Sequence, residues 1–281
     1  MTKQVCVVTG ANAGIGKAIA LSLAQAGLQV VMICRHEARG QQAAAEIKTA
    51  VSHNPPDLLI GDLGTIAGVQ QVAANLLRHY PQIHILINNA GVWATKRELN
   101  EDGLEISFMV NHLAPFLLTN LLLERLKASQ PARIVNVNAG LYVKGKLDLD
   151  KTPYGHDFHS LKSYANTKLA NVLFTVELAR RLEGSGVTVN ALHPGVIRTH
   201  LGDRSGPLGW LLKLVKRSWK TPEEGAKSPV WVATAAELEG VNGRYYNEFE
   251  EIPIDPVAQD VALAKQLWEL SGTLTKLESA A

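Results

Sequence analysis

The chain has 281 residues, 46% of them hydrophobic, enough to bury a large core and within the length at which an α/β fold remains one domain. With 28 basic against 26 acidic side chains the formal net charge is +2, so there is no broad positive field for nucleic acid, and the expected partner is a small molecule. Cys6 and Cys34 lie inside apolar runs without zinc or redox spacing, and are expected as reduced core residues.

Met1-Thr2-Lys3 leads straight into the first apolar run with no signal-peptide pattern. In chain order, "VCVVT", "QVVMIC", "DLLIG", "HILIN", "RIVNV" and "VTVNALH" read as strands, apolar almost throughout, as when both faces of a parallel sheet are covered. Between them stand helical patterns such as "GKAIALSLAQAG", closed by Gly27, and "SYANTKLANVLFTVELARRLEG", closed by Gly184. The alternation predicts a doubly wound parallel sheet with helices on both faces, one domain over 1–281. The longest apolar stretch, "FLLTNLLLERL", is broken by Asn120, Glu124 and Arg125, so no membrane span is expected and the expected location is cytoplasmic.

One region breaks the alternation. In "GDRSGPLGWLLKLVKRSWKTPEEGAK", Trp210, Leu211, Leu214 and Val215 fall on one helix face and Lys213, Lys216 and Arg217 on the other. Residues 200–220 are a candidate apolar lid over a substrate pocket; the competing readings are a packed surface helix and a helix resting on a membrane surface.

"VVTGANAGIG" puts Gly10, Gly14 and Gly16 directly after the first strand, with Asn12, Ala13 and Ile15 completing the turn into a helix. Backbone there must turn sharply and approach a pyrophosphate, whose charge meets the free N–H groups and positive dipole end of the helix. Arg35 follows at the end of the second strand, where an acidic residue would hold the ribose 2′-hydroxyl of NAD; an arginine pairs with the 2′-phosphate of NADP instead. NADP (NADPH) is the expected cofactor, the alternatives for Arg35 being a solvated charge or a pair with Glu37. Asp62, followed by Leu63 after the third strand, has the acceptor chemistry for an adenine amino group, and equally the chemistry of a plain turn residue.

The Gly-rich turn, "NNAG" at 88–91, "YANTK" at 164–168 and "HPGVIRT" at 193–199, in that order and spacing, resemble the short-chain dehydrogenase/reductases over nearly the whole chain. "KTPEEGAK", "GVNGRYYNE" and "AKQLWELSG" are similar to the retinol dehydrogenase branch of that family. The resemblance implies a Rossmann-type fold, with Tyr164 as acid/base and Lys168 on the nicotinamide ribose. It also implies that Asn111 holds a proton-relay water, that Asn88, Asn89, Ala90 and Gly91 line the cofactor, and that Pro194, Gly195, Ile197 and Thr199 fix the nicotinamide. Tyr164 and Lys168 are i and i+4 on one helix face, so the ammonium is expected to lower the phenol pKa from about 10 toward working pH.

One position departs from the branch. Where it carries two serines after the fifth strand, this chain has Asn138 and Ala139, and the hydroxyl that polarises the carbonyl is missing. Either Tyr164 works alone, aided by the Asn138 amide or a water, or the chain is a cofactor-binding sensor or scaffold that has lost its chemistry. A third possibility brings Tyr142, Ser160 or Ser163 into the serine's place. The expected function is NADP(H)-dependent hydride transfer with a lipophilic retinoid-, steroid- or polyketide-like carbonyl or alcohol. Asn138, Ala139, Tyr142 and Trp210 are the expected substrate contacts, no metal is expected, and two apolar helices offer either a homodimer interface or plain core.

Overall fold

The computed structural model describes residues 3–197 and 219–277. Eight strands form one sheet: β1 (Val5–Thr9), β2 (Gln29–Cys34), β3 (Asp57–Ile60), β4 (Ile85–Asn88), β5 (Ala132–Val137), β6 (Val187–His193), β7 (Tyr245–Asn247) and β8 (Glu250–Ile252), in the spatial order β3-β2-β1-β4-β5-β6-β7-β8. β1 to β7 run parallel and β8 closes the edge antiparallel. All six strands read from the sequence are present. The order reverses between β1 and β4, which opens a crevice at their carboxyl ends where an open α/β sheet binds its ligand.

Alternate strand residues feed two cores. Val7, Val31, Leu86, Ile134 and Val189 pack against α3 (Ile66–His79), α5 (Ala114–Lys127), α6 (Ser160–Arg181) and α8 (Val261–Thr275). Val8, Met32, Ile87, Val135 and Leu192 face α1 (Gly14–Gln25), α2 (Glu37–Ala50) and α7 (Pro222–Thr234). Each fully buried Leu, Ile or Val stabilises the fold by about 1.5–3 kcal/mol, which is why the strands are apolar on both faces. α1 ends just before Gly27 and α6 just before Gly184, both glycines at positive φ, as the sequence predicts. A full capping box starts α7: Thr221 accepts from the Glu224 N–H while the Glu224 carboxylate accepts from the Thr221 N–H. Cys6 and Cys34 are buried free thiols, as their apolar surroundings predict.

Ile106–Lys127 forms one long helix in which α4 (Ile106–Phe108) and α5 flank a π turn, Met109–Leu113. By length and composition it passes as a membrane span, yet 78% of its most apolar window is buried between the sheet, α3 and α6, the environment of a core helix.

Most of the candidate lid, including Trp210, and Thr199 before it, lie outside the described residues. Its stems are closed on each other: Ile197 bridges Lys220, the Lys220 N–H donates to the Val196 carbonyl at 3.2 Å, and Lys220 pairs with Glu248.

Candidate active site

A cavity of about 780 Å³ opens where β1, β2, β4, β5 and β6 end. Gly10, Asn12, Ala13, Gly14, Ile15 and Gly16 form one wall. Gly10 sits at φ 66°, and a Cβ there would stand 2.9 Å from the Ala90 Cα; a Cβ on Gly16 would collide with the Gly10 carbonyl and the Asn89 amide. The backbone is therefore bare where a pyrophosphate must approach. Ala13, the residue that starts α1, provides no side-chain cap, and the first turn holds no acid, so its N–H groups remain for an anion. Asn89, Ala90 and Gly91 form the opposite rim, held by the Thr9 hydroxyl, which accepts from the N–H groups of Asn89 and Ala90 at 2.9 Å each. Asn88 points instead into the core, donating to Thr119 and Asn136, because strand alternation turns it away from the cavity.

Arg35 and Asp62 line the cavity's other end, with Leu63 beneath them. Arg35 lies 3.5 Å from the His36 ring and not on Glu37, whose carboxylate accepts from Gln41. His36 and Arg39 line the same end and were missed by the sequence reading. The available signal was Arg39 standing i+4 from Arg35 at the start of α2. Asp62 is the sole carboxylate among the described lining residues, and its Oδ1 accepts from the Gly64 N–H at 2.9 Å. This set of side chains fits the ribose end of a nicotinamide dinucleotide.

Tyr164 and Lys168 meet the cavity from α6, both 6% exposed. The Lys168 Nζ is 5.6 Å from the Tyr164 ring centroid and donates to the Val137 carbonyl at 3.3 Å. Burial pushes the phenol well above its ordinary value and lowers the ammonium to about 8. The expected lowering of Tyr164 by Lys168 is thus overturned: although the ammonium lies over the ring, burial of the phenol sets the direction of its shift. Pro194, Gly195 and Ile197 close the cavity beside them, joined by Trp219, which the sequence reading passed over in favour of Trp210.

Residues 4–207 match the family described as short chain dehydrogenase. The chain belongs to that family. It is 40% identical to human retinol dehydrogenase 14 over 99% of this chain and 88% of that protein. With human retinol dehydrogenase 12 it shares 42% identity over 95% of this chain and 85% of that one. Among solved structures, a putative uncharacterized protein from Mycobacterium paratuberculosis superposes with a TM-score of 0.79 at 29% identity, covering 98% of this chain and 94% of that chain. The short-chain dehydrogenases are oxidoreductases that use nicotinamide cofactors.

Ala139 lines the cavity beside Tyr164, and the hydroxyls among the described lining residues are those of Tyr164 and Thr95. Asn138 is committed elsewhere: its Nδ2 donates to the Lys168 carbonyl at 3.1 Å and its Oδ1 accepts from the Ala139 N–H at 2.8 Å. It splices strand to helix. Tyr142, expected to contact substrate, turns under the sheet edge in the short helix Gly140–Lys144, where its ring packs on Tyr245 at 4.8 Å and its hydroxyl accepts from the Asp255 N–H. It lines a second cavity of about 490 Å³. Ser160 and Ser163 are also engaged away from the missing hydroxyl, Ser160 donating to the Ala94 carbonyl and Ser163 accepting from the His159 N–H. The third possibility therefore fails on geometry.

Asn111 lies in the π turn, buried and fully bonded. Its Oδ1 accepts from the Val92 N–H at 2.7 Å, and its Nδ2 donates to the Val92 carbonyl at 2.8 Å and to Thr167 at 3.0 Å. Its side chain thus ties the loop after β4 to α6.

Proposed function

We propose that this chain is an NADP(H)-dependent oxidoreductase interconverting a lipophilic carbonyl and its alcohol, of retinoid, steroid or polyketide type, with Tyr164 as the acid/base. The observation that carries the reading is one cavity lined at one end by Arg35, His36 and Arg39 and at the other by Tyr164 and Lys168. Three basic side chains against the single carboxylate of Asp62 favour a 2′-phosphate over a bare ribose. Val92, Val110, Ala139 and Leu161 give the substrate end an apolar wall. The names of the retinol dehydrogenase relatives support a lipophilic substrate.

The bound nicotinamide supplies or accepts the hydride. In carbonyl reduction, Tyr164 gives its hydroxyl proton to the substrate oxygen, and in alcohol oxidation the phenolate takes it back. Burial holds the phenol in its neutral, proton-bearing form. Lys168, neutral in part near pH 8, stabilises the phenolate left behind when it is protonated and is placed to pass a proton onward. The backbone of Gly10 to Gly16 holds the pyrophosphate against α1, and Pro194, Gly195 and Ile197 orient the nicotinamide.

Ala139 favours a second reading, a cofactor-binding protein with impaired chemistry. Losing one donor to the developing oxyanion costs about 10²–10³ in rate, which slows an enzyme of this class without abolishing it. Purified protein incubated with NADPH and a panel of lipophilic aldehydes and ketones decides between the two. The enzyme reading expects NADPH oxidation that Tyr164→Phe removes. Tight NADPH binding with no turnover on any carbonyl supports the sensor.

A further inference from the structure

The loop leaving β4 lays an indole on the face of Tyr164. The Trp93 and Tyr164 rings stack with centroids 4.8 Å apart and planes 16° from parallel. The indole edge is anchored, since its Nε1 donates to both the carbonyl and the hydroxyl of Ser160 at 3.0 Å each. Ser160, Tyr164 and Lys168 lie on successive turns along one face of α6, so Trp93 spans the turn that presents the phenol. The backbone beside it is fixed as well: Asn111 clamps Val92 through both its amide atoms and reaches Thr167, whose hydroxyl donates to the Tyr164 carbonyl at 2.8 Å.

This arrangement does more than fill space. A phenol ring swings about two side-chain torsions, and a proton donor is useful only where its oxygen meets the substrate. In a site with a serine, the substrate oxygen has that hydroxyl beside the tyrosine's to settle between; here Ala139 supplies none. We propose that Trp93 is a positioning residue whose anchored indole fixes the Tyr164 phenol and keeps water from its face, so that Tyr164 alone can hold and protonate a carbonyl oxygen. The inference rests on the oxidoreductase reading above. The titratable groups facing Tyr164 are Lys168 on its own helix, Tyr245 on β7, which couples to it electrostatically, and His193 on β6 across the shared cavity. Replacing Trp93 alters none of these, so a shift in the Tyr164 titration on its removal traces to the indole.

The test combines a titration that needs no turnover with steady-state kinetics. Phenolate absorbance is followed against pH for wild type, Trp93→Ala and Trp93→Phe, each against its own Tyr164→Phe counterpart, so that the difference isolates Tyr164. Admitting water to the ring favours the charged form, so Trp93→Ala moves the midpoint down by about one pH unit or more, while Trp93→Phe, which keeps a stacked ring, stays near wild type. For carbonyl reduction, kcat falls about tenfold in Trp93→Ala with KM little changed. An unmoved midpoint in Trp93→Ala, or a rise in KM with kcat intact, overturns the proposal and leaves Trp93 as a pocket wall. Wild type that turns over no carbonyl removes the oxidoreductase reading, while the titration still decides what Trp93 does to Tyr164. Should Trp93→Ala fail to fold, Trp93→Leu keeps bulk without the stack, and Ser160→Ala removes one of the two acceptors that anchor the indole edge.

Discussion

The methyl group of Ala139 is the side chain on which the proposed rate of this site turns. Ala139 has extended backbone, φ −146° and ψ 144°, which serine adopts without strain, and it lines the cavity beside Tyr164. Ala139→Ser therefore places a hydroxyl where charge develops on the substrate oxygen, and kcat should rise about 10²-fold with little change in KM. No competition from Asn138 is expected, because its amide already serves Lys168 and Ala139. A gain below threefold on a substrate that wild type turns over would show that another donor already fills the role. At the far end of the cavity, the NADP(H) proposal expects Arg35 and Arg39 to share a 2′-phosphate. Fluorescence titration should find NADPH bound more tightly than NADH, the gap narrowing in Arg39→Ala and closing or reversing in Arg35→Asp. Equal wild-type affinities would refute the assignment of NADP.

At the scale of the element, α6 holds Tyr164 and Lys168 buried at a cost in stability. Lys168 is pushed down to about 8 from its ordinary 10.5 by burial, so the unfolded chain holds this proton more tightly than the fold does. Below pH 8 the full penalty opposes folding, on the order of 3 kcal/mol; it is relieved as pH rises from 8 toward 10.5. Lys168→Met should accordingly raise the melting temperature at pH 7 by several degrees and flatten its rise between pH 8 and 9.5, while abolishing turnover. An unchanged or lower melting temperature at pH 7 would mean that the Val137 carbonyl compensates the buried ammonium. The sequence made this helix legible, since apolar period, Gly184 and the Tyr/Lys spacing all lie within a few turns. It did not reveal the sign of the Tyr164 shift, because spacing reports a nearby charge and is silent on burial. β7 and β8 were equally hidden: three residues each carry no periodicity, and "YYN" is a strand only because β6 offers an edge. The Trp93 stack and the π turn around Asn111 escaped for the same reason, being set by contacts between segments distant in sequence.

For the molecule as a whole, one histidine joins the long helix Ile106–Lys127 to the C-terminal one and makes the fold sensitive to acid. His112, next to Asn111 in the π turn, packs among Phe108, Phe116 and Phe174, and its Nε2 lies 2.8 Å from the Ser271 hydroxyl on α8. Its Nδ1 is buried without a protein partner, and burial lowers its pKa to about 3. In the unfolded chain the ring titrates near 6.5, so as pH falls below that value the unfolded state takes up a proton that the fold refuses. Stability then drains at about 1.4 kcal/mol per pH unit between roughly 6.5 and 3. His193, whose pKa burial also lowers, adds to the same loss. Glu177 enters lower still: held ionised by Arg180 and Arg181, it contributes stability above its unfolded pKa that disappears as acid protonates it. His112→Phe separates the first of these contributions. Phenylalanine suits the surrounding rings, and Ser271 keeps a partner because its hydroxyl donates to the Leu267 carbonyl at 2.7 Å. Urea unfolding at pH 7.5 and pH 5 should show wild type losing about 2 kcal/mol between the two conditions from this residue, and the variant losing less by that amount. Parallel losses in the two proteins would mean that His112 becomes protonated within the fold, with α8 opening to let the proton in before the sheet gives way.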